Sequence, residues 1–451
     1  MDKSNNLIFS IFIMLFILNF SVTGMGQELS SGNKPSAIFP DDGRQNKTSL
    51  ELDNNPTLND YIRYALLNNR GVEAAYEKWQ AAMEKVAPAG TLPDPKMTFA
   101  YYIKEVETRV GPQKYSVGIN QTFPWFGKLD LKEKTALGAA NAEKARYDAQ
   151  KLMLISKIKK LYYQYSYLAQ AIKITRDNIT LVSNFEDVAT AKYKGGAGLQ
   201  NAVIKIQVEL GKLDDRLTSL KDSMTPVVAK LNSAMNRPSS ASLPVPENIP
   251  DDKISMDKSE LISLLQSQNP NLKVLDYIAE SDNYMIGLAE KNYYPDFTLG
   301  LNYINTEPRS DMIPPDNGKD PLVASVSINL PLWRKKYSSI KREAQAEQRA
   351  VMRSREELEN SLIADLEMAI FELRDADRKI TLYRDTLLKK AEQNVNINQL
   401  AFASDKATFL DLIDAQRVLL EFQLAEKKAQ ADYGKALSDI EMLTACNSKG
   451  N

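Results

Sequence analysis

The stretch SVGINQTFPWFGK, Ser116 to Lys128, alternates small or polar residues with apolar ones and then stops abruptly. Ser116, Gly118, Asn120 and Thr122 fall on one side of an extended chain. Val117, Ile119, Gln121 and Phe123 fall on the other, the period of two expected of a β-strand. A Pro-Trp-Phe-Gly block ends the alternation, and a long Lys/Glu/Ala-rich helical pattern follows. SVSINLPLWRKK, Ser325 to Lys336, repeats the same sequence of events. The chain twice builds a two-faced strand, closes it with aromatics and runs into a long helix.

The duplication extends over most of the 451 residues. YIRYALLNNRGV (Tyr61 to Val72) aligns with LISLLQSQNPNL (Leu261 to Leu272) at a separation of 200. YKGGAGLQNAVIKIQ (Tyr193 to Gln207) aligns with FASDKATFLDLIDAQ (Phe402 to Gln416) at 209. The extra residues sit in NTEPRSDMIPPDNGKDP, between two strand-like segments, where loops tolerate insertion. The expected organisation is a signal peptide over 1–26, a polar leader over 27–55, a first repeat over 56–237, a Pro-rich linker over 238–256, a second repeat over 257–445 and a tail over 446–451.

Each repeat reads helix, strand, loop, strand, helix, helix. Strands are expected at about 96–105, 114–123, 296–305 and 322–331. Met97, Phe99, Tyr101 and Ile103 share a face, as do Phe297, Leu299, Leu301 and Tyr303, and Leu322, Ala324, Val326, Ile328 and Leu330. The opposite faces are mostly small or polar. Each segment is close to the ~9–11 residues that a tilted strand needs to cross a bilayer.

The helices carry long apolar seams. Leu154, Ile158, Leu161, Tyr165, Leu168, Ile172, Thr175, Ile179 and Val182 step by four and three. So do Leu199 to Leu220 and Leu362 to Leu387, the spacing of coiled-coil seams. Helical hairpins are expected over 129–236 and 336–444, with tips at Lys194 to Gly198 and Ala403 to Thr408. Pro226 is expected to kink or end its helix.

Composition narrows the function classes. Net charge is −1, against a nucleic-acid binder. Histidine is absent and Cys446 is the one cysteine, so no Ser-His-Asp, Cys-His or His-containing metal site can be built. Neither a catalytic residue nor a cofactor nor a metal site is expected. Leu7 to Phe20 is apolar but too short for a transmembrane helix and reads as a secretory signal.

Four strands cannot close a membrane barrel, since the smallest have about eight. An open edge in lipid leaves backbone groups unpaired at several kcal/mol each. Membrane strands of this chain would therefore have to be pooled between copies, with the helices continuing the pore. In INQTFPWFGK, KYKGGAGLQNAVIKIQVEL, LNSAMNRP, LPLW and FASDKATFLDLIDAQ, in this order and duplicated, the chain resembles the TolC-like outer-membrane efflux channel family. The resemblance spans about Pro56 to Ala445. It implies a mixed, mostly α fold: a homotrimer with a shared twelve-stranded β-barrel in the outer membrane of a Gram-negative bacterium and a helical tunnel in the periplasm. It also implies a periplasmic membrane-fusion adaptor and an inner-membrane efflux pump as partners, and FPWFGK resembles the branch that serves heavy-metal or small-molecule resistance pumps.

Site candidates follow. Asp411 and Asp414, three apart on one helix face, would form a ring of carboxylates at the periplasmic gate and select for cations. Crowding of like charges there is expected to raise some of their pKa values. Thr408-x-x-Asp411 is also a capping-box pattern, which would make Asp411 a helix cap. The family's tyrosine and arginine partners of the gate carboxylates fall at Phe402 and Ala407. Gly195, Gly196, Gly198, Asp405 and Thr408 are the expected adaptor-docking tips; Trp125, Phe126 and Trp333 are the expected membrane-boundary anchors. The alternatives are a periplasmic or secreted coiled-coil structural protein without channel activity, an enzyme, which nothing marks out, and a passive porin, in which the helical mass would have no purpose.

Overall fold

The computed structural model describes residues 56–196, 198–250, 256–404 and 406–446. The expected signal peptide and leader lie outside them. The first half opens with helices α1 (Leu58–Asn68), α2 (Arg70–Met83) and α3 (Val86–Gly90), followed by strands β1 (Lys96–Thr108) and β2 (Gly111–Phe123). Two long helices follow, α4 (Lys128–Lys194) and α5 (Gln200–Ala234). The second half repeats this with α6 (Lys258–Gln268), α7 (Pro270–Lys291), β3 (Phe297–Thr306) and β4 (Leu322–Ile328). Its long arm is α8 (Arg334–Leu382), a π-helical turn (Tyr383–Leu387) and α9 (Leu388–Ala403), returning as α10 (Phe409–Thr444).

The four strands make one antiparallel sheet in the order β1-β2-β3-β4. Register puts Met97, Ile119, Leu301 and Ala324 side by side, and Phe99, Val117, Tyr303 and Leu322 in the next apolar row. The other face carries Asn120, Gly300 and Ser325 in one row and Thr122, Thr298 and Ser327 in another. The Thr122 and Thr298 hydroxyls lie 2.9 Å apart. The apolar face is uncovered: Phe99 and Tyr101 are each 64% exposed and Ile103 93%. Among the described residues both edges of the sheet, β1 and β4, are unpaired.

Strand lengths differ from expectation at two places. β1 and β2 run three residues further into their turn, which closes through Arg109 and Val110 with Gly111 at φ +133°. β4 stops at Ile328 rather than 331. Its continuation is bonded to the start of β3 instead: the Asn329 side chain accepts from the Asp296 N–H, and the Asn329 N–H donates to the Asp296 carbonyl (3.2 Å). Pro331 then lacks the donor a strand would need.

The duplication is visible in the packing. Tyr61, Ala65 and Val72 are buried against Leu154, Ile158 and Leu231. Leu261, Leu265 and Leu272, 200 positions later, are buried against Leu362, Leu366 and Ile440. One asparagine device locks each core. Asn69 caps α2 by accepting from the Gly71 and Val72 N–H groups and donates to the Ala234 carbonyl at the end of α5 (2.8 Å). Asn269 caps α7 in the same way and donates to the Leu443 carbonyl at the end of α10 (2.8 Å). In each half a short helix is thus tied to the far end of the long hairpin.

Pro226 does not end its helix: α5 runs unbroken from 200 to 234. The ring is exposed, and Val227 and Leu231 on its C-terminal side are buried, so packing carries the helix past the missing N–H. The α8–α9 seam changes phase at the π turn. Its apolar positions continue as Leu387, Ala391 and Val395, four apart, the shift expected from one extra residue in a turn. The seam through α5 is only partly covered, with Ile206 and Leu213 buried but Leu199, which caps the helix start, 75% exposed.

Candidate functional site: the sheet–helix junction and the helical tips

At the junction, Asp296 is the node. It follows Pro295 at the entrance to β3 and gathers three segments. Its Oδ1 accepts from the Trp125 N–H (2.8 Å) and from the Lys128 ammonium (2.7 Å), while its backbone pairs with Asn329. Lys128, the last residue of the opening motif and the first of α4, is 5% exposed. Its ammonium also donates to the Tyr294 carbonyl (3.1 Å). A buried lysine needs such partners, because an unpaired ammonium out of water is strongly disfavoured. Gly127, at φ +82°, makes the turn that aims Lys128 inward.

The aromatics divide around this node. Trp125 is half-buried and stacks on Tyr294, centroids 5.3 Å apart. Phe126 and Trp333 are 71% and 74% exposed at the same end of the sheet. Phe123 and Phe297 stack across β2 and β3.

At the other end of the helices, the two tips lie side by side. Lys192 at the end of α4 donates to the Phe402 carbonyl at the end of α9 (3.1 Å) and sits over the Phe402 ring. Phe402 meets Phe409 edge-on, and Phe409 meets Phe185. Gly196 has φ +75°, which only glycine adopts freely, and a Cβ on Gly198 would sit 2.9 Å from the Tyr193 nitrogen. Gly195 has ordinary φ. Thr408 is exposed beside them; Asp405 lies outside the described residues.

Asp411 and Asp414 are both exposed on one face of α10. Asp411 closes a capping box: its carboxylate accepts from the Thr408 N–H (2.9 Å) and hydroxyl (2.6 Å), while the Asp411 N–H donates to the Thr408 oxygen. The hydroxyl and backbone bonds from Thr408 hold the Asp411 carboxyl below the usual range within the single chain. Asp414 pairs with Arg417 (3.1 Å), whose second nitrogen binds the buried Glu209 of α5. Phe402 packs rather than donating through its side chain, and Ala407 offers only its backbone, whose N–H donates to the Ala401 carbonyl (3.3 Å).

The structure therefore brings the ends of α4 and α9 together through Lys192 and Phe402 and places the two aspartates on a common face. It adds Lys128, Asp296, Arg417 and Glu209, which sequence reasoning had not singled out as site residues. A usable signal was present for Asp296: a Pro-Asp pair precedes each first strand, at Pro93-Asp94 and Pro295-Asp296. Among the described residues no helix is long and apolar enough to cross a membrane, and no cluster of three or more acidic or cysteine side chains could hold a metal ion.

Comparison with known proteins is consistent with this architecture. Residues 261–445 match the family described as Outer membrane efflux protein. Nodulation protein T of Rhizobium leguminosarum bv. trifolii is 20% identical over 85% of this chain and 84% of its own. The cobalt-zinc-cadmium resistance protein CzcC of Cupriavidus metallidurans is 21% identical over 82% and 85%. The structure of the outer-membrane channel OprN superposes with a TM-score of 0.73 at 15% identity, covering 87% of this chain and 90% of that one. The second half of the chain thus carries the sequence pattern of the Outer membrane efflux protein family, and the chain as a whole has the fold of the outer-membrane channel on which it superposes.

Proposed function

We propose that the chain is the exit duct of a tripartite efflux pump, three copies pooling their sheets into one twelve-stranded barrel continued by a helical tunnel. The observation that carries this reading is the sheet itself. It has an uncovered apolar face suited to outer-membrane lipid, a polar face suited to a wet lumen, and two unpaired edges that lipid would not tolerate. Exposed apolar residues on the helices, Phe371 at 63% and Leu400 at 73%, fit burial between copies.

The paired tips around Gly196, Gly198 and Thr408 are the proposed dock for a periplasmic adaptor that links the duct to an inner-membrane pump. Phe126 and Trp333 are the proposed boundary anchors, with Trp125 stacked behind them. Asp411 and Asp414 would put six carboxylates around the exit axis and favour cations. The closed tip would be held by packing of Phe402, Phe409 and Phe185 and by adaptor contacts. The cargo is set mainly by the pump. The likeness to CzcC and to the motif FPWFGK favours metal ions or small resistance compounds.

Planar-bilayer recording tests this. The purified protein should conduct and prefer cations, and Asp411→Asn with Asp414→Asn should reduce that preference. Absence of conductance counts against the duct; unchanged selectivity counts against the ring. Placing charges at Gly196 and Thr408 should abolish efflux in cells while leaving oligomers intact.

A further inference from the structure

The lock at Asp296 has a second set of parts that the single chain does not use. Trp125-x-x-Lys128 follows β2, and Trp333-x-x-Lys336 follows β4. Both close the same hydrogen bond, the Lys128 N–H donating to the Trp125 carbonyl (3.0 Å) and the Lys336 N–H to the Trp333 carbonyl (2.9 Å), the first through left-handed Gly127 and the second in the opening turn of α8. Pro-Asp precedes both β3 and β1, as Asp296 and Asp94. Within the chain one combination is made, because β2 neighbours β3. The other parts sit at the two open edges. Asp94 and Lys336 are exposed, and neither the Asp94 carboxylate nor the Trp333 N–H makes a hydrogen bond among the described residues. Leu92, which precedes Asp94 as Tyr294 precedes Asp296, is 46% exposed, and Trp333 is 74% exposed.

We propose that Asp94 of one copy is clamped by the Trp333–Lys336 turn of the adjacent copy, repeating the Asp296 lock at each subunit boundary. The Asp94 carboxylate takes the Trp333 N–H and the Lys336 ammonium, and the Trp333 ring covers Leu92, as Trp125 covers Tyr294. Arg334 and Lys335, also exposed, add positive charge beside the carboxylate. A second copy is the occupant because it alone brings a β1 edge, with its Pro-Asp, to the β4 edge in the order the repeat already shows. The contact is heterologous, so it closes only as a ring. This rests on the pooled-barrel reading and adds the residues that set its subunit register.

The full-length chain with Cys446→Ser, Asp94→Cys and Lys336→Cys, treated with a short bis-maleimide in membranes, should give covalent two- and three-chain bands. Lys128→Cys with Asp296→Cys should react within single chains. Asp94→Lys should lower the temperature at which the native oligomer dissociates, and Lys336→Glu in the same chain should restore it. Intact oligomers with no cross-link and no rescue would overturn the clamp while sparing the duct. Single chains throughout would overturn both.

Discussion

The Lys128 ammonium lies 2.7 Å from the Asp296 carboxylate, joining the start of the first long helix to the entrance of the third strand, 168 positions away. The lysine side chain is 7% exposed and the aspartate 28%. Removing one partner strands the other. Lys128→Met should destabilise the protein by about 3 kcal/mol, the low end of the range for a broken buried pair because Asp296 retains some water. Lys128→Met with Asp296→Asn should recover part of the loss. Thermal unfolding in detergent reads both.

The two asparagine caps make unequal predictions. Asn269 is 2% exposed, while Asn69 is only half-buried. Asn→Ala at either position removes a cap and leaves a carbonyl without its donor, at about 1–3 kcal/mol. The loss should be larger at Asn269, where water cannot substitute. Equal losses in denaturant titration would contradict the assignment.

Gly434 faces Tyr163 across the contact between α10 and α4. A Cβ there would lie 2.3 Å from the tyrosine Cε1. Gly434→Ala should cost about 1–3 kcal/mol through overpacking. Tyr163→Leu in the same chain should relieve it, visible as partial recovery of the melting temperature.

Asp411 gives a pH dependence with a definite sign. Thr408 lowers its folded pKa, so the cap's contribution is complete above the unfolded value of about 3.9 and is lost as pH falls through the lower folded value. Hydrogen-exchange protection of the first turn of α10 should therefore survive at pH 4 and fade below it. Thr408→Ala should move that fading to higher pH. If Asp411 also lines the pore, the pH at which cation selectivity is lost should rise in the same variant.

Much of this molecule was legible from local pattern. The period of two in SVGIN and SVSIN marked strands with one greasy and one wet face, and register confirms those faces row by row. The seam from Leu154 to Val182 marked a helix that the structure shows over 67 residues. What stayed hidden depends on partners far apart in the chain. Nothing in FPWFGK marks its lysine as buried, because its counter-charge arrives only when β3 pairs with β2. Asn69 and Asn269 stood inside aligned segments, but their grip on Ala234 and Leu443 follows from how hairpin ends return to the short helices. Pro226 does not end its helix because burial of Val227 and Leu231 just beyond the exposed ring outweighs one missing hydrogen bond. At the tip, the Thr408–Asp411 box was visible as spacing, whereas the reach of Arg417 from Asp414 to Glu209 required the packing of α10 on α5.

The central claim is that one chain cannot seal its own sheet. Native mass spectrometry of the protein released from detergent micelles tests it most directly. The account predicts a complex of three chains, stable until the barrel is disrupted. A stable single chain with its sheet edges intact would contradict it.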